Sequence, residues 1–190
     1  MQSESFMSLS LPLSKEVQNV TSAKENLSVE RCLRHFTMPE MLADPVDCPT
    51  CCKKTLTKKQ HVVSKLPKIL CLHLKRFDAA QNKKIEDFVS FPSNGLNMGL
   101  FLPHWCEVSG VPTIVDDPID EKSIPHVTYN LFATVNHRGN LQSGHYVTNL
   151  KVKNSWYHCN DSHVGFAGVG NGEAEVLQSE GAYLLFYVRN

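Results

Sequence analysis

The chain has 190 residues, of which 42% are hydrophobic and 20% charged, and its formal net charge is zero. That length buries a real core in one domain or in two lobes of one, and the composition excludes a disordered chain. Neutrality excludes a molecule that binds nucleic acid through its overall charge, and no apolar run reaches the length of a transmembrane helix.

Residues 5–13 alternate apolar and polar through Phe6, Leu9, Leu11 and Leu13, as a half-buried strand does, with Pro12 near its end. Residues 14–26 are polar and read as a loop. Residues 26–36 read as a short helix capped by Ser28, with Arg31 rather than Glu at the third position, and with Val29, Cys32, Leu33 and Phe36 as its apolar stripe. A further turn of helix is expected over 38–44. Residues 68–77 place Ile69, Cys71 and His73 on one face and Leu70, Leu72 and Leu74 on the other, which predicts a central strand apolar on both faces. Residues 78–84 read as a turn and 87–91 as a short strand stopped by Pro92. Residues 103–125, with four prolines and an acidic run, read as a mobile surface insertion. Strands are expected over 129–136 and 182–188. A loop bracketed by glycine is expected over 137–144, a flexible connection over 164–173 and a short helix over 173–180. The total is an α+β, β-rich chain with few, short helices.

Residues 145–152 and 155–160 form a hairpin across Lys153-Asn154. If that loop has two residues, Val152 faces Ser155 and His145 lies opposite Ser162. Asn160 and Ser162 then share the face of His145, and Asp161 points away. Asn160 is a diagonal neighbour within reach of an imidazole. A slip of one residue in the turn exchanges Asn160 for Asp161, so both stay candidates. A histidine oriented by a polar side chain is the base-and-orienter half of a nucleophilic triad. Gly144 allows close approach of backbone or substrate. The bland alternative is a surface hairpin with an incidental histidine. His73, in an apolar strand, reads as a core histidine. His158 and His163 with Cys159 lack metal-ligand spacing.

Seven cysteines, an odd number, and no visible signal peptide point to a reducing compartment. Cys48 and Cys51 have the C-x-x-C spacing of half a tetrahedral zinc site. The pair alone equally fits incidental thiols or a redox role, with Cys52, Cys32 and His61 as the nearby reserves. Residues 53–84 carry ten lysines and arginines against Asp78 alone, which reads as a solvated face or as contact with an acidic partner.

Taken together and in order, these motifs resemble a known family. They are Glu4–Leu13, Cys32-Leu-Arg-His-Phe36, Cys48-x-x-Cys51, Leu66-Pro-Lys-Ile-Leu-x-Leu-x-Leu-Lys-Arg-Phe77, Phe91-Pro92, Tyr129-x-Leu-Phe-Ala, Ser143-Gly-His-Tyr146, Trp156-Tyr-x-x-Asn-Asp-Ser162 and Ala182-Tyr-Leu-Leu-Phe-Tyr187. The chain resembles the C-terminal part of the catalytic domain of a ubiquitin-specific protease, a papain-like deubiquitinase. Residues 131–146 look most like the member in the deubiquitinating module of the SAGA co-activator. The resemblance implies a largely antiparallel sheet, the palm, over about 66–190, and part of the fingers over about 1–65. It implies hydrolysis of the bond after the C-terminal glycine of ubiquitin. His145 would be the general base and Asn160 the third triad member, with Asp161 beside it. Cys48 and Cys51 would be one zinc pair of the fingers, its partner pair lying before residue 1. The implied partners are ubiquitin, ubiquitinated proteins such as histone and SAGA-like subunits, without membrane or direct nucleic-acid contact, and the implied location is nuclear. The family's nucleophile sits in an Asn-x-Cys-aromatic segment that none of the seven cysteines matches. The expectation is a fragment or an inactive relative, a chain that does not hydrolyse ubiquitin conjugates alone.

Overall fold

A computed structural model describes residues 4–13, 27–78, 81–103, 105–108, 111–114, 124–169 and 181–190. The elements in chain order are β1 (Leu9–Pro12), α1 (Val29–Thr37), β2 (Glu40–Met41), β3 (Val46–Asp47), β4 (Lys54–Thr55), β5 (Lys58–Lys59), β6 (Ile69–Lys75), β7 (Phe77–Asp78), β8 (Lys83–Lys84) and β9 (Leu96–Asn97). A 3-10 turn (Met98–Phe101) precedes β10 (Trp105–Val108), β11 (Val111–Ile114), β12 (Thr128–Gly139), β13 (Gly144–Val152), β14 (Ser155–Asn160), β15 (His163–Val169) and β16 (Ala182–Arg189).

One eight-stranded sheet carries the molecule, in the order β1-β6-β16-β12-β13-β14-β15, with β9 added along β12. Only β1 and β6 run parallel; every other pairing is antiparallel. Leu70, Leu72 and Leu74 are fully buried, and they pack with Leu9, Leu11, Leu185 and Tyr187 in the core. On the opposite face of β6, Ile69 is exposed and Cys71 and His73 are half-buried. The strand is internal, as its alternation predicts, but the sheet is closed on one face rather than two.

Helix α1 begins where the sequence places it. Ser28 Oγ accepts the Arg31 N–H at 3.2 Å and satisfies one of the free donors of the first turn. Val29, Cys32 and Leu33 are buried beside β1. Pro39 cannot extend the helical ladder. Residues 40–41 therefore form β2 instead of the expected helical turn and pair with β5, Glu40 meeting Lys59 at 3.1 Å.

Other expectations are corrected too. Residues 87–91 make a single bridge, Ser28 to Ser90, because their backbone bonds to the entry of α1: Ser90 N–H donates to Leu27 O and Ser90 O accepts from Val29 N–H. Residues 164–169 form β15 rather than a flexible connection. The chain reverses at Asp161 (φ +52°), and Gly168 (φ +141°) sits at the register shift opposite Trp156/Tyr157, a bulge that glycine accommodates. Strand β12 runs on to Gly139, which shortens the expected 137–144 loop to residues 140–143. Within the expected 103–125 insertion, β10 and β11 pair as an antiparallel hairpin. The loop expected at 14–26 and the helix expected at 173–180 lie outside the described residues.

Arg76 follows β6 and is fully buried. Its guanidinium donates to the carbonyls of Ala182 (2.5 Å), Ile85 (3.0 Å) and Asp87 (2.8 Å). One side chain thus joins the end of β6, the start of β16 and the 85–87 stretch.

Candidate active site

Strands β13 and β14 pair from Val152↔Ser155 to Thr148↔Cys159, the register expected from a two-residue loop. Lys153, the first loop residue, takes φ +55°. The same register carries Asn160 opposite Val147, on the face of His145. His145 Nε2 lies 2.5 Å from Asn160 Oδ1. An amide oxygen only accepts, so Nε2 carries the proton and Nδ1 keeps its lone pair. Nδ1 is therefore the nitrogen that can take a proton from a thiol or water. Asp161 Oδ2 is 3.9 Å from Nε2, beyond hydrogen-bond reach, and its side chain is 79% exposed. Asn160 is thus the direct partner, with Asp161 beside it. Ser162 turns away with the chain, its hydroxyl 3.4 Å from His163 Nδ1.

Beneath this pair runs a buried polar row. His158 Nδ1 meets Asn149 Oδ1 at 2.8 Å, and Asn149 and Asn136 both donate to Thr134 Oγ1 at 3.3 Å. His158 is held in this row and not beside Cys159, which alternates to the other face opposite Thr148. His73 contacts Ser10 Oγ at 3.0 Å and stacks edge-on to Tyr183, half-buried on the face of the sheet away from the core, so it is not the core histidine that its apolar strand suggested.

On the other side of β13 lies a cleft of about 270 Å³, lined by Phe77, His137, Gly144, Tyr146 and the 140–143 loop. The Asn140 carboxamide accepts the Gln142 and Ser143 N–H groups at 2.9 Å and shapes the loop. Lys84 Nζ donates to the carbonyls of His137 (3.1 Å) and Gly139 (2.8 Å). Neither Lys84, hidden in a lysine run, nor His137, one histidine among nine, is marked out by its sequence context. The glycines on either side of the loop were the only signal that something packs closely there.

Cys48 and Cys51 lie on the turn between β3 and β4. Cys48 N–H donates to Lys53 O and Cys52 N–H to Cys48 O. The backbone N–H groups of Cys51 and Thr50 and the Cys51 thiol point at the Cys48 sulfur and hold its thiol below the usual range. Two thiols turned toward one point fit half a zinc site. The reserves do not join them: Cys32 is buried in α1, its thiol pushed up to about 12 by burial, and His61 stacks on Phe36 at 5.1 Å. Among the described residues, no three His, Cys, Asp or Glu side chains converge as metal ligands.

The family model described as "Ubiquitin carboxyl-terminal hydrolase" matches residues 3–187. The chain belongs to the ubiquitin carboxyl-terminal hydrolase family. It is 39% identical over 170 residues to mouse ubiquitin carboxyl-terminal hydrolase 51, covering 86% of this chain and 24% of that protein. It is 40% identical over 161 residues to the bovine hydrolase 22, covering 82% of this chain and 30% of that protein. The chain thus spans about a quarter to a third of the length of these relatives. Among solved structures, the yeast SAGA deubiquitinating module with an Sgf73 mutant superposes with a TM-score of 0.72 at 30% identity, covering 97% of this chain and 35% of the other. A SAGA module of Ubp8, Sgf11, Sus1 and Sgf73 bound to monoubiquitin gives 0.71 at 30% identity, with coverage of 97% and 35%. The fold is that of these hydrolases, and the likeness to the SAGA deubiquitinase holds in both sequence and structure. Among the described residues no helix is long and apolar enough to cross a membrane.

Proposed function

We propose that this chain carries the base and orienter of a thiol-dependent ubiquitin hydrolase. The observation that carries the reading is the 2.5 Å contact of His145 Nε2 with Asn160 Oδ1, which leaves Nδ1 available. His145 would withdraw a proton from a cysteine and later return it to the leaving amine. Asn160 fixes the tautomer without adding charge, which suffices where a thiolate attacks. Asp161, exposed and 3.9 Å away, would stabilise the imidazolium weakly. Residues 66–190 would form the palm, with the insertion at 103–125, and residues 1–65 part of the fingers.

Zinc, bound by Cys48 and Cys51, would supply structure to the fingers and no chemistry; the tetrahedral site needs two more ligands. Ubiquitin and ubiquitinated proteins, histone included, are the proposed substrates. Subunits like those of the SAGA module are the proposed partners, and the nucleus is the proposed location.

Cys159 lies on the face opposite His145. That observation favours a second reading, in which the chain alone binds ubiquitin without cleaving it. One experiment separates the two: the purified 190-residue chain is given a fluorogenic ubiquitin substrate and, separately, ¹⁵N-labelled ubiquitin. The expected result is no turnover, with weak ubiquitin binding that survives His145→Ala. Turnover that His145→Ala abolishes would overturn the inactivity of the chain alone. In a longer protein with a cysteine supplied, turnover that persists in His145→Ala would overturn the base assignment.

A further inference from the structure

Gly144, the residue before His145, shows no left-handed φ, so its backbone does not require glycine. Space does. A Cβ at 144 would stand 1.9 Å from His137 Nε2, 2.6 Å from His137 Cε1 and 2.8 Å from Arg138 O. The close approach that the sequence suggested is made by the chain's own imidazole.

His137 has little freedom to move aside. It is 4% exposed. Its ring packs against Phe77 at 5.3 Å and Tyr146 at 4.8 Å. Its N–H donates to Gly181 O at 2.8 Å, and its carbonyl accepts from Lys84 Nζ. Its Nδ1 is buried and finds no hydrogen-bond partner among the described residues. An unsatisfied buried nitrogen is unfavourable, so hydrogen bonding by that atom does not account for the ring. What the ring does is set the first residue of β13. His137 pairs with Tyr146 and Arg138 with His145, so the ring presses on β13 from the face opposite the base, one residue before it.

We infer that His137 is a positioning residue for His145: its ring, wedged against Gly144, fixes where β13 begins and so aims the His145 imidazole at Asn160. The inference rests on His145 as the base. Lys84, bonded to the carbonyls on both sides of Arg138, holds the same turn from outside the sheet.

The test is a double-mutant cycle on the 190-residue chain, read by the long-range ¹⁵N–¹H spectrum of the His145 ring. That spectrum reports which nitrogen carries the proton, a signature that a loss of stability alone does not move. Gly144→Ala is expected to displace the His145 ring signals and to abolish the single Nε2–H pattern. His137→Ala is expected to loosen the pattern toward tautomer averaging. In the double variant the ring no longer blocks the added methyl, and only the Arg138 carbonyl at 2.8 Å stays close, so the signals are expected to return part of the way toward their original positions. Two unconnected disruptions would instead add. Unmoved His145 signals in His137→Ala, or a double variant no closer to the unaltered chain than Gly144→Ala, would overturn the inference. If Gly144→Ala does not fold, the His137→Ala and double variants still decide it, with the amide signals of β16 reporting the fold. Averaged tautomers in the unaltered chain would instead sink the base reading, while the movement of the ring signals through the cycle would still judge His137.

Discussion

The β13–β14 hairpin and the β3–β4 hairpin each present two chemically useful side chains, held by different means. The first has strands of nine and six residues inside a sheet that continues on both sides. Trp156 anchors it in the core, and the polar row of Thr134, Asn136 and Asn149 supports it from below. The second has strands of two residues paired only with each other, with Val46, Cys51 and Cys52 exposed. An isolated two-stranded hairpin is at best marginally stable in water. The His145–Asn160 geometry is therefore a property of the fold. The Cys48–Cys51 geometry depends on six residues of turn and on whatever the thiols bind.

The comparison breaks most visibly at Trp156. Trp156→Ala removes a fully buried side chain and is expected to destabilise the chain by about 3–5 kcal/mol in urea unfolding, with loss of the His145–Asn160 contact. Leu56→Ala, beside the cysteine turn and 70% exposed, is expected to change stability by no more than about 0.5 kcal/mol. Equal losses at the two sites would mean that both hairpins belong to one cooperative core.

The face of the sheet opposite the core makes stability depend on pH. Burial lowers the pKa of His73, helped by the charge of Lys75, and burial lowers that of His137, helped by Lys84. Each ring is harder to protonate in the folded chain than a free imidazole, which titrates near 6.5. Below that pH the unfolded chain binds more protons, so stability is full above about pH 6.5 and falls as pH drops toward the lowered folded values. Denaturant midpoints between pH 5 and 7.5 should show this slope, and His73→Leu should flatten it. A slope of the opposite sign would contradict the burial of these rings.

A smaller change sharpens the site itself. Asn160→Ala is expected to cost about 1 kcal/mol and to leave the His145 ring averaging between tautomers in the ¹⁵N spectrum. Asp161→Ala, which removes an exposed carboxylate, is expected to cost less than about 0.5 kcal/mol and to preserve the tautomer. The reverse ranking would move the orienting role to Asp161.

Alternation and turn chemistry made the site hairpin legible, because a two-residue loop fixes register and register fixes faces. The cap at Ser28 and the buried leucines of β6 were legible for similar local reasons. The strand β15 was not, because four glycines over 164–173 read as flexibility when Gly168 serves a bulge. The short strand β2 was not either, since its partner β5 lies across the cysteine turn and no local pattern announces that pairing. His137 was missed for a third reason. Its role lies in the volume denied to Gly144, and sequence spacing carries no volumes.

A gain rather than a loss is expected in the turn that sets the site register. Lys153 adopts φ +55°, a conformation that disfavours a side chain with a Cβ, and its chain neighbour Val152 pairs directly with Ser155. Lys153→Gly removes that local strain but gives the unfolded chain more freedom, and the two effects oppose one another. The net expectation is a gain of up to about 1 kcal/mol in urea unfolding, with His145 and Asn160 still in contact because the loop keeps two residues. A loss of stability, or a His145 spectrum that resembles Asn160→Ala, would show that Lys153 holds the register through its side chain and not through the length of the loop.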